Sequence, residues 1–139
     1  DLAKSLKKSG LTVYVGPDSG FILKFSNGLT VYLSADTGHI SDMDTIVRRY
    51  YKANLAVMNI GDVNTMGPEE AAWATKKLIK PAAVIPSHAN EQSTKGGKVI
   101  AGTKLEKFIK HMGGAMPGHI PLTERTMEFD GSGKCVKGC

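Results

Sequence analysis

A chain of 139 residues that is 41% apolar and 22% charged, with 16 glycines and 6 prolines, has the composition of one ordinary globular domain, which excludes a disordered, fibrous or disulfide-built polypeptide. Its longest apolar stretches, such as Ala82-Ala83-Val84-Ile85, fall far short of the roughly 20 residues a membrane-spanning helix needs. The net charge of +5 gathers at Lys4, Lys7 and Lys8 and again at Lys95, Lys98, Lys104, Lys107 and Lys110; with few arginines and few interleaved aromatics, these read as solvated helix faces before they read as a nucleic-acid groove.

The opening segment Leu2 to Lys8 is amphipathic and reads as a helix closed by Gly10 at the C′ position, followed by a strand at Leu11-Thr12-Val13-Tyr14-Val15. Gly16-Pro17-Asp18-Ser19-Gly20 marks a turn. Two apolar runs, Gly20 to Phe25 and Leu29 to Leu33, flank Ser26-Asn27-Gly28, and Asn-Gly in that setting predicts a β-hairpin because both residues tolerate positive φ. A helix is expected from an N-cap at Ser41 or Asp42, burying Met43, Ile46, Val47 and Tyr50 at i, i+3, i+4 and i+7. Asn54 to Ile60 then reads as a strand covered by helices.

Gly67-Pro68-Glu69-Glu70 announces the next helix, with Pro at N1 and two carboxylates at the positive end of the dipole, and Pro81 bounds it. Ala82 to Ile85 is a second covered strand. Thr103-Lys104-Leu105-Glu106 is a capping box for a last helix that buries Leu105, Phe108, Ile109 and Met112 and stops at Gly113-Gly114. A terminal strand is expected near Glu124 to Phe129. The sum is a single α/β domain over residues 1–130, with a flexible, frayed Gly/Lys/Cys tail over residues 131–139. Cys135 and Cys139 form a C-x-x-x-C pair in that tail that can bind a metal, oxidise or do neither, and two cysteines at one end define no disulfide framework.

Two loops carry polar residues unlike packing residues. Asp36, in Ala35-Asp36-Thr37-Gly38-His39, and His88, in Pro86-Ser87-His88-Ala89-Asn90, each follow a strand's C-terminal end, where ligand sites of α/β proteins gather. A carboxylate and an imidazole suit Zn²⁺, Mn²⁺ or Fe²⁺. Taken singly, the first is more often a turn residue and the second a hydrogen-bonded loop histidine. The histidines at 39, 88, 111 and 119 form no H-x-H or H-x-x-x-H pair, so no self-sufficient zinc site is expected; no G-x-S-x-G elbow or phosphate-binding P-loop occurs either. His111 reads as a dipole-favoured residue near a helix end, and His119 has no evident partner.

In combination the phrases are more specific. The hairpin Gly-Phe-Ile-Leu-Lys-Phe-Ser-Asn-Gly-Leu-Thr-Val-Tyr, Ala-Asp36-Thr-Gly, Asn-Ile-Gly61-Asp62, Thr65-Met66-Gly67-Pro68-Glu69-Glu70-Ala71-Ala72 and Val-Ile-Pro-Ser-His88 follow in order from Gly20. This series resembles the C-terminal half of a metallo-β-lactamase-fold metal-dependent hydrolase, in the branch similar to ascorbate-6-phosphate lactonase. The resemblance implies half of a four-layer αββα sandwich, a mixed sheet with covering helices. It implies that Asp36 bridges two metal ions and His88 ligates the second, with Thr37, Gly38, Asp62, Thr65 and Met66 as a supporting shell. The cofactor implied is a divalent transition metal, zinc or manganese, up to two ions, whose bound hydroxide attacks an ester, lactone, amide or phosphodiester.

The family's H-x-H-x-D-H motif, which belongs to an N-terminal half, is absent, and Val15-Gly16-Pro17-Asp18-Ser19 stands where a further histidine ligand is expected. Activity is therefore expected to need that half, so that the implied partners are a small-molecule substrate and the N-terminal half or a second copy of the chain, with no membrane. Two other classes stay open: a non-catalytic half-fold acting as an interaction or assembly module, and a basic nucleic-acid-binding domain. The scarcity of cysteine and the lack of an export signal lean towards the cytoplasm.

Overall fold

Local turn chemistry builds the first hairpin as the sequence predicts. Strand β1 (Phe21–Lys24) pairs antiparallel with β2 (Thr30–Leu33), Phe21 opposite Leu33 and Lys24 opposite Thr30. Between them Gly28 takes φ +96°, Asn27 Oδ1 accepts from Leu29 N at 3.0 Å, and Phe25 N donates to Leu29 O at 2.8 Å. The computed structural model describes Ser5, Leu6, Lys8–Gly10 and residues 18–139. The expected strand Leu11 to Val15 and most of the expected helix Leu2 to Lys8 lie outside the described residues.

Helix α1 (Met43–Tyr50) leads to β3 (Leu55–Asn59), and helix α2 (Pro68–Ala74), prolonged by Thr75–Ile79, leads to β4 (Ala83–Ser87). The sheet order is β1-β2-β3-β4, with β2, β3 and β4 parallel, so each helix serves as the crossover that a parallel pair requires. This is the mixed α/β sheet the sequence predicts. Side chains alternate between its faces. Tyr32, Ala56, Met58 and Val84 pack under Met43, Val47, Ala71, Ile79 and Phe108, whereas Val31, Leu55 and Ala83 form a smaller cluster on the other face with Leu33, Val57, Ile85 and Phe129 only partly buried.

The first helix departs from the expected periodicity. Tyr51 N donates to Ile46 O at 2.9 Å, and in the extension of α2 Lys80 N donates to Thr75 O at 2.8 Å, both i→i+5 bonds that widen the turn beyond 3.6 residues. Met43 and Val47 stay buried, but Ile46 is 42% and Tyr50 73% exposed, correcting the four-residue core stripe. Neither expected N-cap side chain bonds the helix: Asp42 is itself helical, and Ser41 contributes only its carbonyl, to Asp44 N and Thr45 N.

Beyond β4, Gly96 and Gly97 at φ +56° and +76° turn a short hairpin of β5 (Thr94–Lys95) and β6 (Lys98–Val99). In helix α3 (Lys104–Met112), Thr103 Oγ1 accepts from Glu106 N at 3.3 Å, while Glu106 Oε2 accepts from Gly102 N at 2.8 Å, one residue before the box the sequence predicts. Leu105, Phe108 and Met112 are buried and Ile109 is exposed. At about 100° per residue Ile109 falls on the flank beyond Leu105, outside the arc the other three share.

The end of the chain corrects two further expectations. The terminal strand is shorter than Glu124 to Phe129: β7 is Glu128–Phe129, and it pairs antiparallel with β8 (Cys135–Lys137), inside the segment expected to fray. Asp130 Oδ1 accepts from Ser132 N, Ser132 Oγ and Lys134 N, and Asn54 Nδ2 donates to Gly131 O at 2.9 Å, tying this hairpin to the loop before β3.

Candidate metal centre

Because β2, β3 and β4 run parallel, the loops after Leu33, Asn59 and Ser87 open on one edge of the sheet. There the two residues singled out by sequence meet: His88 Nδ1 lies 2.6 Å from Asp36 Oδ1, although 52 positions separate them in the chain. Both face solvent, Asp36 with 67% and His88 with 40% of its side chain exposed. A cleft of about 360 Å³ opens beside His88, lined also by Glu91, Gln92, Thr94 and Leu105.

The backbone at this edge is unusual. Ala35, Asp62, Val63, His88 and Asn90 all have φ between +47° and +67°, and they account for most of the non-glycine residues with positive φ among the described residues. A β-branched residue such as Val63 is a true outlier there. Such conformations persist only where surrounding bonds impose them, and they concentrate at ligand sites.

In the loop that carries Ala35 and Asp36 those bonds come from Asn59, the last residue of β3 and 1% exposed. Its backbone N donates to Ser34 Oγ at 2.9 Å, and its Nδ2 reaches Ala35 O at 2.5 Å, Thr37 O at 3.1 Å and Ser34 Oγ at 3.2 Å. Thr37 Oγ1 donates to Ser34 O at 2.9 Å, and Met66 N donates to Thr37 O at 3.3 Å, joining the first loop to the second. Tyr32, buried beneath, bonds the Thr37 side chain, and burial holds its phenol above the ordinary value. The third loop is held by space: a Cβ on Gly61 would come 2.8 Å from His88 O and 3.0 Å from Thr65 Oγ1.

Of the supporting residues the resemblance implies, Thr37 and Met66 are buried in this framework. Thr65 Oγ1 lies against Gly61, and Asp62 Oδ1 accepts from Val63 N at 2.8 Å within its own turn. Gly38 has open space around it. Asn59 was not singled out by sequence; the signal available was an asparagine ending an apolar strand two residues before Gly61-Asp62. His39 points instead to α2, edge-on to Trp73 at 5.7 Å. Several lysines are internally engaged: Lys76 Nζ donates to His111 O, Lys104 Nζ to Gly61 O, and Lys110 pairs with Glu106.

The donor set fits a divalent transition cation in kind, one carboxylate oxygen and one imidazole nitrogen on a shared solvent-open edge. It supplies two donors; among the described residues no third His, Cys, Asp or Glu converges with them.

A UPF0173 metal-dependent hydrolase of Koribacter versatilis is 39% identical over 98 residues, which cover 70% of this chain and 40% of that protein. Among solved structures, Igni18, a metallo hydrolase from Ignicoccus hospitalis, superposes with a TM-score of 0.54 at 25% identity, over 81% of this chain and 42% of its own. A proposed metal-dependent hydrolase from Parabacteroides distasonis does so at 0.55 and 24%, over 73% and 39%. The chain is thus similar to part of these metal-dependent hydrolases in sequence, and its fold is similar to part of theirs. It spans less than half the length of the curated relatives it matches. No family model matches the chain. No helix among the described residues is long and apolar enough to cross a membrane.

Proposed function

We propose that this chain contributes Asp36 and His88 to the metal centre of a hydrolase acting on an ester, lactone, amide or phosphodiester. The observation that carries the reading is the 2.6 Å convergence of the two side chains from the C-terminal ends of β2 and β4. Zinc or manganese bound there would act as a Lewis acid on substrate and water. The chain's own part is to hold the two donors: Asn59 pins the Asp36 loop, and the close approach at Gly61 seats His88.

The remaining ligands, in this reading, come from an N-terminal half. That half would cover the second sheet face, where Phe21 and Leu23 are 57% and 44% exposed in register with Leu33 and Val31. The same face favours the interaction-module reading if the donors hold no metal.

Titrating the chain with Mn²⁺ tests the site, because the ion broadens nearby NMR signals. Broadening is expected in the loops after β2, β3 and β4, with affinity falling at least about tenfold in Asp36→Ala or His88→Ala. Broadening elsewhere, or undiminished in both variants, overturns the assignment.

A further inference from the structure

A second group of donors assembles at the other side of β4. The segment before Pro121 runs beside this strand: Val84 N donates to Pro117 O at 3.0 Å, and His119 N donates to Val84 O at 2.9 Å. His119 is thereby held at the sheet edge, its ring edge-on to Phe129 with centroids 5.4 Å apart. Its Nε2 is buried and has no hydrogen-bond partner among the described residues.

Strand β8 brings the cysteines to the same place. Cys135 pairs with Phe129 across the hairpin, and the ligand atoms of His119, Cys135 and Cys139 all lie within 4.8 Å of one another. Among the described residues no other three His, Cys, Asp or Glu side chains converge in this way. In the structure the two cysteines are joined as a disulfide, with a Cα–Cα distance of 6.4 Å.

We propose that, when this disulfide is reduced, Cys135, Cys139 and His119 form a three-ligand site for a zinc-like cation, distinct from the Asp36–His88 pair. Tetrahedral zinc, with bonds of about 2.3 Å to sulfur and about 2.0 Å to nitrogen, requires its donors roughly 3.3 to 3.8 Å apart. The observed donors lie within 4.8 Å of one another, and once the disulfide is reduced the two sulfurs must part to about 3.8 Å to take up that geometry. Two thiolates neutralise the ion's charge, which makes its placement beside Phe129 tolerable, and the cation satisfies an imidazole nitrogen that has no hydrogen-bond partner among the described residues.

Occupancy is then governed by redox state. A dithiol reductant delivers two electrons and two protons to the sulfur–sulfur bond, becoming a disulfide itself and leaving two thiols; the cation then displaces both thiol protons to water. The oxidised pair retains no thiolate and does not bind.

Cobalt(II) titration of the 139-residue chain, reduced by a phosphine that is then removed without oxygen, tests the proposal. The expected result is thiolate-to-cobalt charge-transfer absorption and tetrahedral ligand-field bands that saturate with one equivalent at the cysteine site and are displaced by zinc, cobalt at the Asp36–His88 pair giving no such charge transfer. Cys135→Ser and Cys139→Ser should each diminish the charge-transfer band, and His119→Gln should weaken binding at least about tenfold while leaving that band in place. Asp36→Ala should leave the charge-transfer band and the cobalt affinity read from it unchanged.

Zinc should also protect both thiols of the unaltered chain from alkylation, a readout that does not depend on any variant folding. The absence of charge transfer in the reduced chain, of thiol protection, or of any effect of His119→Gln on affinity overturns the site.

Discussion

At the scale of single residues, the candidate site depends on groups that are not themselves donors. Gly61 is one: its missing Cβ leaves room for His88 O, which would otherwise stand 2.8 Å from that carbon. In Gly61→Ala the His88 loop must move, and overpacking of this kind costs about 1 to 3 kcal/mol. A lowered melting temperature together with a changed His88 imidazole signal in NMR is the expected outcome; an unchanged signal would show that His88 is held by something else. Asn59 is the other. Asn59→Ala removes the amide donor to Ala35 O and Thr37 O, which keep Ser34 Oγ and Met66 N, so the loss should cost about 0.5 to 1.5 kcal/mol per bond, read by denaturant unfolding. Asp36 and His88 were legible in the sequence because a polar residue just past an apolar run stands out. Asn59 was not, since its place at the end of an apolar strand is the one local signal it gives, and the bonds that make it matter reach back 22 to 25 positions.

At the scale of elements, what was legible is what short-range chemistry decides. The Asn27-Gly28 hairpin and the Pro68 helix start form where expected, because each depends on groups within four residues. Thr103 belongs with them: Thr103→Ala removes the acceptor for Glu106 N and should cost about 1 kcal/mol, checked by denaturant unfolding of the two chains. The burial of α1 was not legible in the same way. Its apolar spacing fits a 3.6-residue turn, but the Ile46-to-Tyr51 bond is i→i+5, and the wider turn carries Ile46 and Tyr50 out of the core. The β7–β8 hairpin escaped notice for a different reason, since its anchor is Asn54, which donates to Gly131 from 77 positions away.

At the scale of the whole molecule, the shifted groups give its acid stability two steps. Burial places His119 below 6.5 in the folded chain, so on acidification the unfolded chain takes up that proton first, and stability falls as pH drops from about 6.5 towards the folded value. The carboxylates act lower and by a different cause. Hydrogen bonds from Ser132 and Lys134 hold Asp130 below its ordinary 3.8, and Gly102 N with the Lys110 ammonium holds Glu106 below 4.5. Their contribution is complete above those ordinary values and is lost as pH falls through the folded ones, a loss that solvent exposure keeps small. Melting temperature followed from pH 8 to pH 3 should therefore decline in two separate ranges. His119→Gln should remove the upper decline and leave the lower one, whereas Asp130→Asn should flatten only the lower. An upper decline that survives His119→Gln would assign it to another group.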